Sequence, residues 1–302
     1  MEITKTLDLS ENEYYLLDHH SVLNILTILV SEIEVSGIIT HQTELVRPLS
    51  ERIIDLKAGL NQELSKIFSE SALTQLALDA ENVFNDLMIY CNGNSELQQV
   101  VIEARDNVSR IIGILKVRVN ELVLRKDNFL KWDTVSVPLL EQNFAEVLNA
   151  IAKNSKGKYN IVQNIAKKLP RDYVVNFDIE SSSNDSTIYM PLTLQDCVRD
   201  LIANARKYTP PGGIINAGLF SDDEKIRVVI QDNGCGIPED EIESVVDFGY
   251  RASNTAFRPT KGGGFGLTKA YYLTKRLEGR FWIDSEVNKG TTITIEIPIP
   301  RN

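Results

Sequence analysis

Near the start of the chain, Leu16, Leu17, Leu23, Leu26 and Val30 recur at three- and four-residue steps and fall on one stripe. That spacing predicts an amphipathic helix with one face to bury. Ser10 and Glu13 stand just ahead of it, the Ser-x-x-Glu arrangement in which hydroxyl and carboxylate answer the free amides of a first turn. Ser36-Gly37 predicts the break of this helix. The same periodicity follows over about 40–67, 70–90 and 95–126, with Pro48 interrupting or starting one segment and CNGN (Cys91 to Asn94) marking a turn. Stripes this long cannot be buried by a lone helix, so the first half is expected to form a bundle or a dimer.

The second half has a different grammar. Ser136-Val137-Pro138 reads as a helix start, with the helix running to about Asn154. Tyr173 to Ile179 alternates like a strand, and a helix is expected from about Thr193 to Tyr208. Ile214 to Phe220 and Lys225 to Gln231 flank SDDE as a hairpin. A further helix follows from about Gly266 to Leu277, with Gly279 as its left-handed cap, and Arg280 to Val287 and Thr291 to Ile299 close the chain as strands. The pattern is α+β: a helical region over 1–130, then an α/β sandwich over 131–302 with helices on one side of a mixed sheet.

Composition narrows the setting. A net charge of −10 over 302 residues argues against nucleic acid as a partner. Cys91, Cys197 and Cys235 make no disulfide or metal spacing, so a reducing, cytoplasmic location is expected. No apolar run is expected to reach the ~20 residues of a membrane span, and the first residues lack the features of a signal peptide.

The candidate chemistry lies in four glycine- and asparagine-bearing stretches. QDNGCGIP (Gln231 to Pro238) joins a strand to a charged segment, and DLIANARKYTPPGG (Asp200 to Gly213) puts Asp200 and Asn204 one turn apart on a helix. FGYRASN (Phe248 to Asn254) and KGGGFGL (Lys261 to Leu267) follow, and KGTTITIEIP ends the series. Glycines feeding a helix amino terminus leave amides bare for phosphate. An Asn carbonyl and Lys207 on a neighbouring helix suit the same anion through a hard cation such as Mg²⁺. Taken singly, each stretch reads equally well as a turn, a hinge or a solvated helix face.

Together, in this order, the stretches resemble the ATP-binding domain shared by sensor histidine kinases, topoisomerase-type ATPases and the heat-shock chaperone ATPase, over about 190–300. The resemblance implies the Bergerat sandwich fold and an ATP–Mg²⁺ site under a lid. It implies that Asn204 holds magnesium, that Lys207 and Tyr208 flank the nucleotide, and that Asp232 accepts from the adenine amino group. Gly234 and Gly236 would let the backbone pass beneath the base, beside Ile237. Tyr250 and Arg251 would belong to the lid, Gly262, Gly264, Phe265, Gly266 and Leu267 to the phosphate-contacting glycine box, and Thr291 and Thr292 to the far wall of the adenine pocket. NARKYTPPGG is most similar to the sensor histidine kinases, which carry Asn where this chain has Asp200; a carboxylate there implies a base or an outer-shell magnesium ligand.

The chain holds three histidines, His19, His20 and His41. HSVLNIL, starting at His20, resembles the phosphoacceptor helix of those kinases, with Asn24 one turn on to fix the tautomer. Ser21 stands where an acidic residue is usual, and the distance from His20 to Lys126 calls for one or two extra helices. The implied function is a cytoplasmic sensor-kinase core. It would phosphorylate its own histidine and pass the phosphoryl group to an aspartate of a response-regulator receiver domain, and would pair as a homodimer through the helices. An ATP-binding docking module without histidine chemistry, or a protein serine kinase of the same superfamily, are the alternatives.

Overall fold

A computed structural model of the protein describes residues 1–61, 67–125, 130–154, 159–163, 165–182, 186–255 and 264–300. The chain divides into two compact units, Glu11–Asn128 and Met1–Ser10 with Phe129–Asn302. The expected helical span 1–130 therefore begins with ten residues that pack on the other unit.

The helical unit contains α1 (Glu11–Ile39), α2 (Thr43–Ala58), α3 (Glu70–Tyr90) and α4 (Ser95–Arg125). Helix α1 packs on α2 and α4, and α3 packs on the same two, closing a ring. Val22, Leu26, Leu29 and Ile33 of α1 meet Val46 and Ile53 of α2, Leu76 and Phe84 of α3, and Val108 and Leu115 of α4 in one core. Each such side chain contributes about 1.5–3 kcal/mol on leaving water. The stripes that implied a bundle or a dimer are thus buried within one chain.

Two expectations are corrected here. Helix α1 does not break at Ser36-Gly37 but runs on to Ile39. A side chain on Gly37 would place its Cβ 2.4 Å from Val46 Cγ2, so this glycine lets two helices approach. The expected absence of a membrane-length apolar run also fails. His19–Ile39 is long and apolar enough to cross a membrane by length and composition, with mean hydropathy 1.8 and 33% of its residues buried. The cause is that α1 is apolar on two faces: Ile28, Val35, Ile38 and Ile39 are exposed opposite the core stripe.

The second unit is built on a six-stranded sheet, ordered β2-β3-β5-β6-β8-β7. Its strands are β2 (Ile161–Val162), β3 (Tyr173–Ser181), β5 (Ile214–Ser221), β6 (Lys225–Asp232), β7 (Arg280–Glu286) and β8 (Gly290–Pro298). Strands β2, β3 and β5 pair in parallel and the rest antiparallel, so the sheet is mixed as expected. A separate ribbon pairs β1 (Trp132–Ser136) with β4 (Thr187–Pro191). Alternation buries Ile226, Val228 and Ile230 of β6 and Ile293, Ile295 and Ile297 of β8 in a core shared with helices α5 (Val137–Asn154), α6 (Leu192–Tyr208) and α7 (Gly266–Arg276). The left-handed residue after α7 is Glu278 (φ 56°), not Gly279. Gly279 is required for another reason, since a Cβ there would lie 2.5 Å from the Glu296 carbonyl oxygen.

The first residues lie along the β7 edge. Ile3 N–H donates to the Phe281 carbonyl and Ile283 N–H to the Met1 carbonyl, both at 2.9 Å. Arg280 donates twice to the Glu2 carboxylate, at 2.9 and 2.7 Å. Ile3 is fully buried. The Tyr271 hydroxyl, on α7, faces the carbonyls of Ile3 and Lys5 at 3.3 and 2.5 Å, and Lys5 pairs with Asp247 at 2.5 Å.

Candidate functional site

One cavity in the sheet-bearing unit gathers residues from well-separated parts of the sequence. Asn204 and Tyr208 reach it from α6, Asp232 from the end of β6, and Gly236 and Ile237 from the turn that follows. Tyr250 and Arg251, Gly264 and Leu267, and Thr291 on β8 complete the polar and loop wall. Cys235 and Thr255 also line it, and the rest of the wall is apolar: Leu201, Ala205, Ile230, Val245, Ala252 and Ile293. Sequence reading missed these because they belong to the same inward phase as the core stripes, which marks burial and not a ligand.

Asp232 is the most constrained polar group in the wall. Gly234 N–H donates to its Oδ1 at 2.8 Å. Burial pushes its carboxyl above the ordinary range, opposed by the Gly234 and Thr291 amides and the Thr209 hydroxyl. A half-buried carboxylate held by amides and facing a cavity suits a ligand N–H donor, which an adenine amino group supplies. A side chain on either glycine would also meet protein neighbours. A Cβ on Gly234 would lie 2.7 Å from the Tyr208 carbonyl, and Gly236 has φ 66° with the Glu286 carbonyl 2.0 Å from any Cβ.

Asn204 meets the start of α7, where a Cβ on Gly266 would fall 2.4 Å from its Nδ2. One turn back, Asp200 Oδ2 accepts from Lys269 Nζ at 3.1 Å. Beneath them the buried Cys197 thiol is pushed up to about 12, by burial first and then by the Asp200 charge. Among the described residues no group of three or more His, Cys, Asp or Glu side chains is placed to hold a metal. Asn204 offers one oxygen, so a magnesium ion here fits only as one that brings phosphate and water as its other ligands, the usual habit of Mg²⁺.

The segment Phe248–Asn254, expected to belong to a lid, is held by hydrogen bonds. Glu241 accepts from the Tyr250 hydroxyl at 3.0 Å, the Ser253 amide at 2.8 Å and the Ser253 hydroxyl. Asn254 Nδ2 donates to the Gly236 carbonyl at 2.9 Å, joining the lid to the turn after β6. Phe248 and Phe265 stack with centroids 4.6 Å apart. Gly264 is left-handed, at φ 80°.

Not every sequence-predicted residue reaches the cavity. Lys207 lies over the Tyr208 ring, 5.1 Å from its centroid, and its ammonium is weakened by burial and by Arg251 and Arg206. Thr292 pairs with Gln231 while its neighbours Thr291 and Ile293 line the wall, so strand alternation turns it to the opposite face. Gly234, Phe265 and Gly266 are not among the residues lining the cavity. Gly262 lies outside the described residues.

In the helical unit, His20 Nε2 and Asn24 Nδ2 are 2.9 Å apart on α1, with His20 half-buried. His19 is buried, stacked on Tyr15 at 4.0 Å with Nδ1 2.8 Å from the Tyr15 carbonyl. His41 is left-handed (φ 55°) in the turn after α1 and opens no helix.

Comparison with known proteins finds a family match and several relatives. Residues 190–301 match the histidine kinase-, DNA gyrase B-, and HSP90-like ATPase family. The sensor histidine kinase RppB of Synechocystis is 33% identical over 122 residues, 40% of this chain and 26% of its own length. The autoinducer 2 sensor kinase/phosphatase LuxQ of Vibrio vulnificus is 25% identical over 230 residues, 74% of this chain and 23% of its own. The catalytic domain of histidine kinase ThkA superposes with a TM-score of 0.38 at 19% identity, covering 56% of this chain and 97% of that domain. The chain thus spans about a quarter of the length of these two curated relatives. Residues 190–301 match this ATPase family, and the chain is similar to sensor histidine kinases.

Proposed function

We propose that this chain is a histidine kinase core that binds ATP–Mg²⁺ in the cavity described above, phosphorylates its own His20 and passes the group to an aspartate of a response-regulator receiver domain. The observation that carries the reading is the convergence of Asp232, Asn204 and Gly264 on one cavity within residues 190–301. Asp232 selects the base through its amino group, and the amides at the start of α7 favour the phosphates. Asn204 would hold a magnesium ion, which would supply charge neutralisation to the phosphates.

In the helical unit, His20 supplies the nucleophile. With the Asn24 amide donating to Nε2, the ring proton belongs on Nδ1 and the lone pair on Nε2. Attack by Nε2 forms an N–P bond as the bond from the γ-phosphorus to the bridging oxygen breaks, and ADP leaves with the electron pair. The imidazolium then sheds its Nδ1 proton. A carboxylate beside the histidine would take that proton, and Ser21 is a poor substitute.

A homodimer and a cytoplasmic location remain part of this reading. Support comes from the exposed stripe Ile28, Val35 and Ile39 on α1, and from three cysteines that form no disulfide among the described residues. The decisive experiment is incubation with γ-labelled ATP. Acid-labile, alkali-stable label that vanishes in His20→Gln while ATP binding persists is expected; acid-stable label, or none with ATP still bound, would overturn the histidine chemistry.

A further inference from the structure

Asp200 is the odd charge of the site, a carboxylate one turn from the magnesium asparagine. Residues one turn apart on a helix have Cβ atoms about 5–6 Å apart, inside the ~8 Å over which physiological salt screens charge. A free carboxylate at Asp200 would therefore repel a polyphosphate held at Asn204. The structure places Lys269 against it: Nζ to Oδ2 is 3.1 Å, with the two side chains only 12% and 29% exposed. Lys269 lies one turn into α7, whose first residue, Gly266, abuts Asn204. The contacts Asn204 with Gly266 and Asp200 with Lys269 run antiparallel along the two helices.

We propose that Lys269 is a positioning residue of the nucleotide site: it neutralises Asp200, so that the carboxylate does not oppose the triphosphate. The proposal rests on the nucleotide reading of the cavity. It also decides between two roles for Asp200. A carboxylate with one oxygen committed to an ammonium is a weak base, so Asp200 serves the site through the ion pair and not by activating water.

The test is calorimetric binding of ATP–Mg²⁺ and of adenosine to the full chain. Lys269→Met should weaken ATP by about tenfold or more, with adenosine changed less than about twofold. The pair Lys269→Met with Asp200→Asn should recover most of the loss, as should Lys269→Arg. Equal losses for both ligands, or a double variant no better than the single, would overturn the proposal. If Lys269→Met does not fold, Asp200→Asn decides: it should tighten ATP severalfold and leave adenosine unchanged, and a weaker or unchanged ATP affinity overturns it. A wild-type chain that binds neither ligand would instead bring down the nucleotide reading and this proposal with it.

Discussion

The Asn24 amide donates to Nε2 of His20 over 2.9 Å, so the ring nitrogen that carries the lone pair is the one farther from the backbone. Phosphate should therefore appear on Nε2, with ³¹P spectroscopy separating it from the Nδ1 isomer. Autophosphorylation should be slow, and Ser21→Glu should raise its rate within the ~10²–10⁴-fold range of general-base assistance. An Nδ1 adduct, or a rate untouched by the glutamate, would contradict this account of the ring.

Burial raises the Asp232 carboxyl, and the sign of its pH dependence follows. The charged form accepts from adenine, so ATP affinity should begin to fall on acidification above the ordinary aspartate range. A folded-state pKa above the unfolded one means the native state favours the proton. The protonated group supports the fold at low pH, and that support is lost as pH rises through the raised value. At neutral pH Asp232→Asn should then raise the melting temperature while Asp232→Ala weakens ATP by about ten- to a hundredfold. A lowered melting temperature for Asp232→Asn would refute the burial argument.

Gly264 is left-handed and a Cβ there would lie 3.0 Å from the Tyr250 carbonyl. Gly264→Val should strain the entry to α7 and cost triphosphate affinity more than adenosine affinity. Asn204→Asp should harm binding more with Mg²⁺ than without it. Titrations with and without the ion check both.

Gly37→Leu tests the helix contact at α1 and α2. Overpacking against the buried Val46 is expected to destabilise the helical unit by about 1–3 kcal/mol, read by chemical denaturation. No change would mean the helices tolerate separation there.

The exposed stripe on α1 gives the last prediction. Sedimentation at tens of micromolar should show a dimer that Ile28→Glu with Val35→Glu dissociates, with the melting temperature little changed because neither residue is in the core. A wild-type monomer would leave that face without a second copy.

The strongly periodic segments were legible in the sequence because one buried face sufficed to fix them. Helix α6 and the β5–β6 hairpin fall within a residue or two of where alternation and spacing put them. Strands β1 and β4 were not legible: Trp132–Ser136 is mostly exposed and its partner lies some fifty residues away, so neither carries a local signal. Glycines misled in both directions. Gly37 and Gly279 read as a break and a cap, yet each is small for the sake of a neighbour far off in sequence, Val46 or Glu296. The polar wall of the cavity was visible only through the family resemblance, which named Asn204, Tyr208, Asp232 and Thr291 before their convergence was seen. Lys269 was not, since a lysine on a helix looks like any solvated charge until the partner helix brings Asp200 beside it.

The pairing of Met1–Ile3 with β7 has a mechanical consequence within its own unit. A pull on the chain ahead of Glu11 is borne by two backbone hydrogen bonds to β7, by the Tyr271 hydroxyl on α7 and by the Lys5–Asp247 pair. With so few bonds in series, this edge segment is the part of the unit that would peel first under tension.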